Sequence, residues 1–100
     1  MRPIHVAQLD KARPVVVLTR EAVRPHLSRV TVAPITTRIR GLSTEVPVGK
    51  ANGIADESVI SCDNILTVPT SRLGRHIGYL LAHQEADLAA AIRAAFDLEG

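Results

Sequence analysis

The sequence predicts a mainly β fold: a compact β-barrel or strongly bent sheet with one C-terminal helix. Three observations predict it. Six or seven short β-branched or alternating runs recur every 8–12 residues with turn chemistry between them. Two of these runs, Arg13–Thr19 and Val30–Thr36, are apolar enough to pair at the centre of a sheet. The last fifteen or so residues change character and carry good helix formers with Leu88, Ile92 and Phe96 at four-residue spacing.

Taken in order, Met1–Ala7 reads as a first edge strand, with Pro3 tolerated near its start. Gln8–Ala12 is a tight polar connection into the Arg13–Thr19 strand. Glu21–Ser28 contains Pro25 and lacks periodicity, so it reads as a loop or irregular turn. Pro34 interrupts the Val30–Thr36 run and marks a bulge or bend, because proline donates no ladder bond. Thr37–Ser43 is basic, carries Gly41 and reads as a mobile loop. Short strands follow at Thr44–Val48, Ser58–Cys62 and Ile65–Val68, with a turn-rich Gly49–Asp56 between the first two. Leu73–Leu81 holds Gly74 and Gly78 and reads as a turn with a last short strand or bend. The helix is expected over Glu85–Asp97, with Glu85 and Asp87 suited to its first turn and no capping residue near His83.

At 100 residues, the chain (1–100) is expected to form one domain. Phe96 and Tyr79 are its only aromatics, so the core is built from Val, Ile, Leu and Ala. So light a core favours a homodimer. Cys62 stands alone, which suits a reducing compartment and a buried apolar role. With no apolar run long enough to span a bilayer and no signal pattern, a cytoplasmic location without membrane contact is expected.

Charge is divided unevenly. Residues 1–40 hold eight basic and two acidic residues, a balance of +6; residues 41–100 hold four basic and eight acidic, a balance of −4. Such asymmetry suits a face that meets a polyanion. Ten of the twelve basic residues are arginine, whose planar fork matches phosphate.

The four histidines His5, His26, His76 and His83 are scattered, with neither HExxH nor CxxC present, so no metal and no other cofactor is expected. Gly74 and Gly78 lack the Lys-Ser/Thr of a phosphate loop. What remains is arginine with hydroxyl. RNA can be cleaved when its own 2′-OH attacks the adjacent phosphorus, provided that the protein aligns the hydroxyl and stabilises charge on the phosphate oxygens. Arg13 and Thr36, at one rim of the central strand pair, are the candidates.

The run Lys11-Ala-Arg-Pro-Val-Val-Val-Leu-Thr, then Val30-Thr-Val-Ala-Pro-Ile-Thr-Thr, resembles the MazF/PemK family of toxin endoribonucleases, and within it the mycobacterial members. The similarity continues in order through Thr44-Glu-Val-Pro-Val, Ser58-Val-Ile-Ser-Cys-Asp-Asn-Ile, Arg72-Leu-Gly and Gly78-Tyr-Leu. It implies a dimeric, SH3-like β-barrel toxin of the PemK type, neutralised by a cognate antitoxin protein. The implied activity is metal-independent cleavage of single-stranded RNA to 2′,3′-cyclic phosphate and 5′-OH ends.

The resemblance places the catalytic arginine on Arg13, before the Pro of the central strand, and the catalytic threonine on Thr36, two residues after Pro34. It extends to Thr19 near the groove and to Asn64. Arg20, Thr37, Arg38 and Arg40 join them as expected RNA contacts, the guanidinium planes of Arg20, Arg38 and Arg40 standing in for aromatic stacking. Because arginine normally stays protonated, Arg13 is assigned first to charge stabilisation and to proton donation to the leaving oxygen. His5 is the competing candidate for general base. The chain departs from the family in its five-residue Gln8–Ala12 connection, which is shorter than the usual loop and predicts a more open groove. Two other readings remain: a gyrase-poisoning toxin of the CcdB kind on the same barrel, against which the Asp97-Leu-Glu-Gly ending speaks, and a structural barrel that merely dimerises.

Overall fold

The computed structural model describes residues 1–99. Seven antiparallel strands precede one helix: β1 (Pro3–Gln8), β2 (Ala12–Val17), β3 (Arg29–Thr36), β4 (Glu45–Val48), β5 (Ser58–Ser61), β6 (Leu66–Pro69), β7 (Leu73–Tyr79) and α1 (Ala82–Phe96). The fold is thus mainly β with a C-terminal helix. The hydrogen-bonded path runs β4-β5-β3-β2-β1-β7, with β6 also on β3. Among the described residues no ladder joins the two ends, β4 and β7, so the sheet bends strongly without closing into a barrel.

The two central runs pair as expected, with Val15 opposite Pro34, Val16 opposite Ala33 and Val17 opposite Val32. Pro34 marks the point where β3 changes partner. Residues 29–32 pair with β6, whereas Ile35 and Thr36 pair with β5. The missing N–H of Pro34 thus falls in the gap between two ladders, where the sheet can turn.

Alternation sends the faces of β2 and β3 to two different cores. Val16, Ala33 and Ile35 join Ile4, Val46, Ile60 and Leu80 under α1, with Leu88 and Ala91 of the helix. Val15, Val17, Val30 and Val32 join Ala7 and Val68 on the other face, with Leu9 and Leu66 packed against them. Burial on both faces is why these runs read as continuous apolar stretches.

Four expectations need correction. The first strand is interior, between β2 and β7, because its backbone is paired on both sides. The last short strand expected within Leu73–Leu81 is seven residues long, Leu73–Tyr79, and runs through Gly74 and Gly78 with no turn inside it. Gly78 serves a close approach there: a Cβ would collide with the Asn52 carbonyl oxygen. The Thr37–Ser43 loop is anchored, since the Glu45 carboxylate accepts backbone N–H groups from Arg40, Gly41 and Leu42 at 3.1, 2.8 and 3.1 Å.

The fourth concerns the helix, which starts three residues early. Gln84 supplies the start that no Ser, Thr, Asp or Asn could: its Oε1 accepts the Leu81 N–H at 2.9 Å. It also bonds Asn52 and the Pro47 carbonyl, tying α1 to the turn before β5. The buried face is Gln84, Leu88 and Ala91, while Phe96 is 56% exposed. Four-residue steps advance about 40° beyond a full turn, so Phe96 drifts off the face that Leu88 starts.

Candidate active site

The register of the central pair brings the two candidate catalytic residues together. Continuing it two residues back along β2 and two forward along β3 sets Arg13 opposite Thr36. Both lie on the face of the second core, just beyond its last apolar layer of Val15 and Leu66. They line an open hollow of about 700 Å³. Arg38, Arg40 and Asn64 line it too, so five of the eight sequence-predicted residues converge there. A neighbouring hollow of about 540 Å³ shares Arg13, Thr36 and Arg38 and adds Thr37. The Arg13–Thr36 pair stands on the ridge between the two.

Arg13 is held by Asp10, whose oxygens accept from Nε at 3.0 Å and Nη2 at 3.2 Å. The short β1–β2 connection makes this pair by placing the acid three residues before the base. The guanidinium holds the Asp10 carboxyl down to about 2. Conversely, the carboxylate raises the Arg13 pKa above its ordinary value, so the guanidinium stays charged and can meet a phosphate as a fixed cation. Thr36 Oγ1 accepts the Arg38 N–H at 3.1 Å, which leaves its hydroxyl hydrogen free to donate into the hollow.

Opposite them, Thr44 donates to Asp63 at 2.6 Å and Asn64 Nδ2 donates to Ser61 Oγ at 2.8 Å. Asp10, Glu45 and Asp63 thus line the hollow beside its three arginines, and sequence reasoning missed all three acids. Asp10 alone left a signal, its spacing from Arg13. Glu45 and Asp63 reach the site only because β4 and the turn after β5 fold against β3.

Three candidates, Thr19, Arg20 and His5, are brought to neither hollow. Thr19 and Arg20 lie beyond the other end of β2 and line a separate hollow of about 220 Å³. There Thr19 Oγ1 accepts the Thr31 N–H at 2.8 Å, a turn-stabilising bond. A strand run carries its two ends to opposite rims, which separates Thr19 from Arg13. His5 faces β7: its Nδ1 lies 3.0 Å from the Gly74 carbonyl oxygen and its ring centroid 5.2 Å from that of His76. The candidate base thus lines neither of the two hollows that Arg13 and Thr36 share.

Fold and site together define a bent-sheet β protein whose central strand pair carries an arginine–threonine hollow fit for a phosphate. Residues 3–96 match the model of the PemK-like, MazF-like toxins of type II toxin–antitoxin systems. Endoribonuclease MazF3 of Mycobacterium tuberculosis is 69% identical over 99 residues, covering 99% of this chain and 96% of that protein. The structure of Mycobacterium tuberculosis toxin MazF-mt6 superposes with a TM-score of 0.97 at 68% identity, covering 99% of this chain and 100% of the other. An endoribonuclease in complex with its cognate antitoxin, from a mycobacterial species, shares the fold at a TM-score of 0.87 and 23% identity, covering 98% and 94%. The chain belongs to the PemK-like, MazF-like toxin family.

Proposed function

We propose that this chain is the toxin of a toxin–antitoxin pair, an endoribonuclease that cleaves single-stranded RNA to 2′,3′-cyclic phosphate and 5′-OH ends. One observation carries the reading: Arg13 and Thr36, 23 positions apart, share one hollow on the ridge between two lobes. A scissile phosphate on that ridge leaves a nucleotide to each lobe. The relatives named endoribonucleases, and the family match, support this over gyrase poisoning.

In this reading the substrate's 2′-OH attacks the adjacent phosphorus and the P–O5′ bond breaks; solvent water takes the 2′-OH proton and returns one to the departing 5′-oxygen, so that a 2′,3′-cyclic phosphate and a 5′-OH result. Arg13 supplies fixed charge and hydrogen bonds to the phosphate oxygens as negative charge builds on them. Asp10 pre-positions its fork, and an incoming phosphate takes over part of that fork. Thr36 donates its hydroxyl to a non-bridging oxygen. Arg38 and Arg40 hold flanking phosphates or stack on bases, Thr37 contacts the strand in the second lobe, and Asn64 presents its amide to a base edge. No step calls for a metal or cofactor.

The antitoxin is an acidic segment that lies across the arginines of this hollow. The whole chain acts as one domain and pairs into a homodimer in the cytoplasm; no described helix is long and apolar enough to cross a membrane.

Incubating the purified chain with RNA in EDTA tests the reading. Cleavage with 5′-OH ends is expected in the wild type, and none above background in Arg13→Ala. Activity undiminished in Arg13→Ala would overturn the assignment.

A further inference from the structure

The small hollow beyond the C-terminal end of β2 has no part in the chemistry above, yet it is basic. Arg2, Arg20 and Arg24 line it, with Glu21 and Glu85. Arg2 already holds Glu85, Nε to Oε1 at 2.9 Å, and donates Nη1 to the Leu18 carbonyl at 2.8 Å. One acid is thereby neutralised, leaving two arginines against Glu21.

Arg24 is the unusual member. Its Nε is buried and meets no acceptor among the described residues. A guanidinium partly withdrawn from water without an acceptor is under-compensated, and an anion within reach of its remaining N–H groups offsets that cost. The side chain lines the hollow, so the anion's place is there. At about 220 Å³ the hollow falls below the roughly 300 Å³ at which drug-sized ligand pockets begin, which suits a phosphate group rather than a whole nucleotide.

We propose that this hollow, built on Arg20 and Arg24, is a second anchoring site that takes a backbone phosphate of the RNA strand away from the scissile linkage. The proposal rests on RNA as the substrate. The six-residue step from Arg13 to Thr19 spans about 20 Å at the rise of a strand, so the anchored phosphate is several nucleotides from the cleaved one. RNA fits because both hollows draw their arginines from the basic first 40 residues. Binding here is blind to sequence: it adds affinity for longer strands without choosing the cut.

The experiment follows the Arg24 Nε–Hε resonance of the ¹⁵N-labelled full chain, assigned by its loss in Arg24→Lys. Inorganic phosphate is titrated first. In a separate run the ligand is an uncleavable 2′-O-methyl oligouridylate of about 16 nucleotides, the upper range of single-strand site sizes. Saturable movement of the resonance with each ligand is expected, weakened several-fold in Arg20→Ala, whose exposed side chain leaves the fold intact. The salt slope of oligonucleotide binding should also become shallower by about 0.7 in Arg20→Ala, one phosphate contact's worth for a single strand.

No movement with phosphate would overturn the site. Movement with phosphate but not with the oligonucleotide would make it a free-anion site and overturn the RNA assignment. Since the oligonucleotide lacks a free 2′-OH, the readout is independent of cleavage. A chain that cuts no RNA but shows both shifts sinks the ribonuclease reading and leaves this site standing.

Discussion

The Asp10–Arg13 pair shows how one short turn sets the state of a reactive group. The pair is exposed enough to be re-formed on a phosphate and ordered enough to aim the fork before one arrives. Replacing Arg13 by Lys keeps the charge but removes the fork, so cleavage should fall by roughly 100-fold or more in single-turnover assays. Thr36→Val, which keeps the shape and removes the donor, should lower the cleavage rate with little change in RNA affinity. The pair also carries a pH signature. Asp10 is depressed from 3.8 to about 2, so its contribution to stability is full above 3.8 and is lost as pH falls towards 2. Urea titrations of wild type and Asp10→Asn should differ by a constant amount near neutrality and converge in that acid window. Cys62 is the opposite case: burial first, then Asp63, pushes its thiol up to about 11. Folded protein should resist iodoacetamide at neutral pH and label rapidly once denatured.

At the scale of elements, the join between α1 and the sheet is polar rather than apolar at one end. Gln84 and Asn52 exchange two buried hydrogen bonds at 2.7 and 3.2 Å, and Asn52 also reaches the Tyr79 carbonyl. Gln84→Ala orphans the Leu81 N–H and a buried amide together, so denaturant unfolding should show a loss of about 2–3 kcal/mol. Leu88→Ala, in the apolar part of the same seam, should cost about 2–5 kcal/mol by cavity formation. Gly78→Ala admits no such graded cost, because its Cβ meets backbone rather than a movable side chain. The last strand would have to separate from the Asn52 turn.

For the molecule as a whole, the bend at Pro34 decides where the site is. It hands β3 from β6 to β5, which sets Glu45 of β4, Ser61 of β5 and the turn after β5 around Thr36. Asp10, Glu45 and Asp63 stand beside Arg13, Arg38 and Arg40 there, and in the proposed function it is the three arginines that meet phosphate. Three such contacts predict a slope of about −2 in log affinity against log salt for a single strand too short to reach the second hollow, measurable by fluorescence anisotropy.

The central strand pair and the Arg13–Thr36 juxtaposition were legible in the sequence. An apolar run buried on both faces must lie inside a sheet, and the two runs' ends then share a rim. The arginine-rich first 40 residues were legible too, as was the helix, through composition. The closing partners were not legible. Asp63, Glu45 and Asn52 act on residues 19 to 32 positions away or through a neighbouring loop, and no period in the chain encodes such contacts. Nor could sequence tell that Thr19 and Arg20, on the same run as Arg13, face a different hollow, since that depends on the strand's length in space. Local pattern determined which segments form strands and which residue types meet phosphate; only the bend and docking of those segments decided which of them stand together.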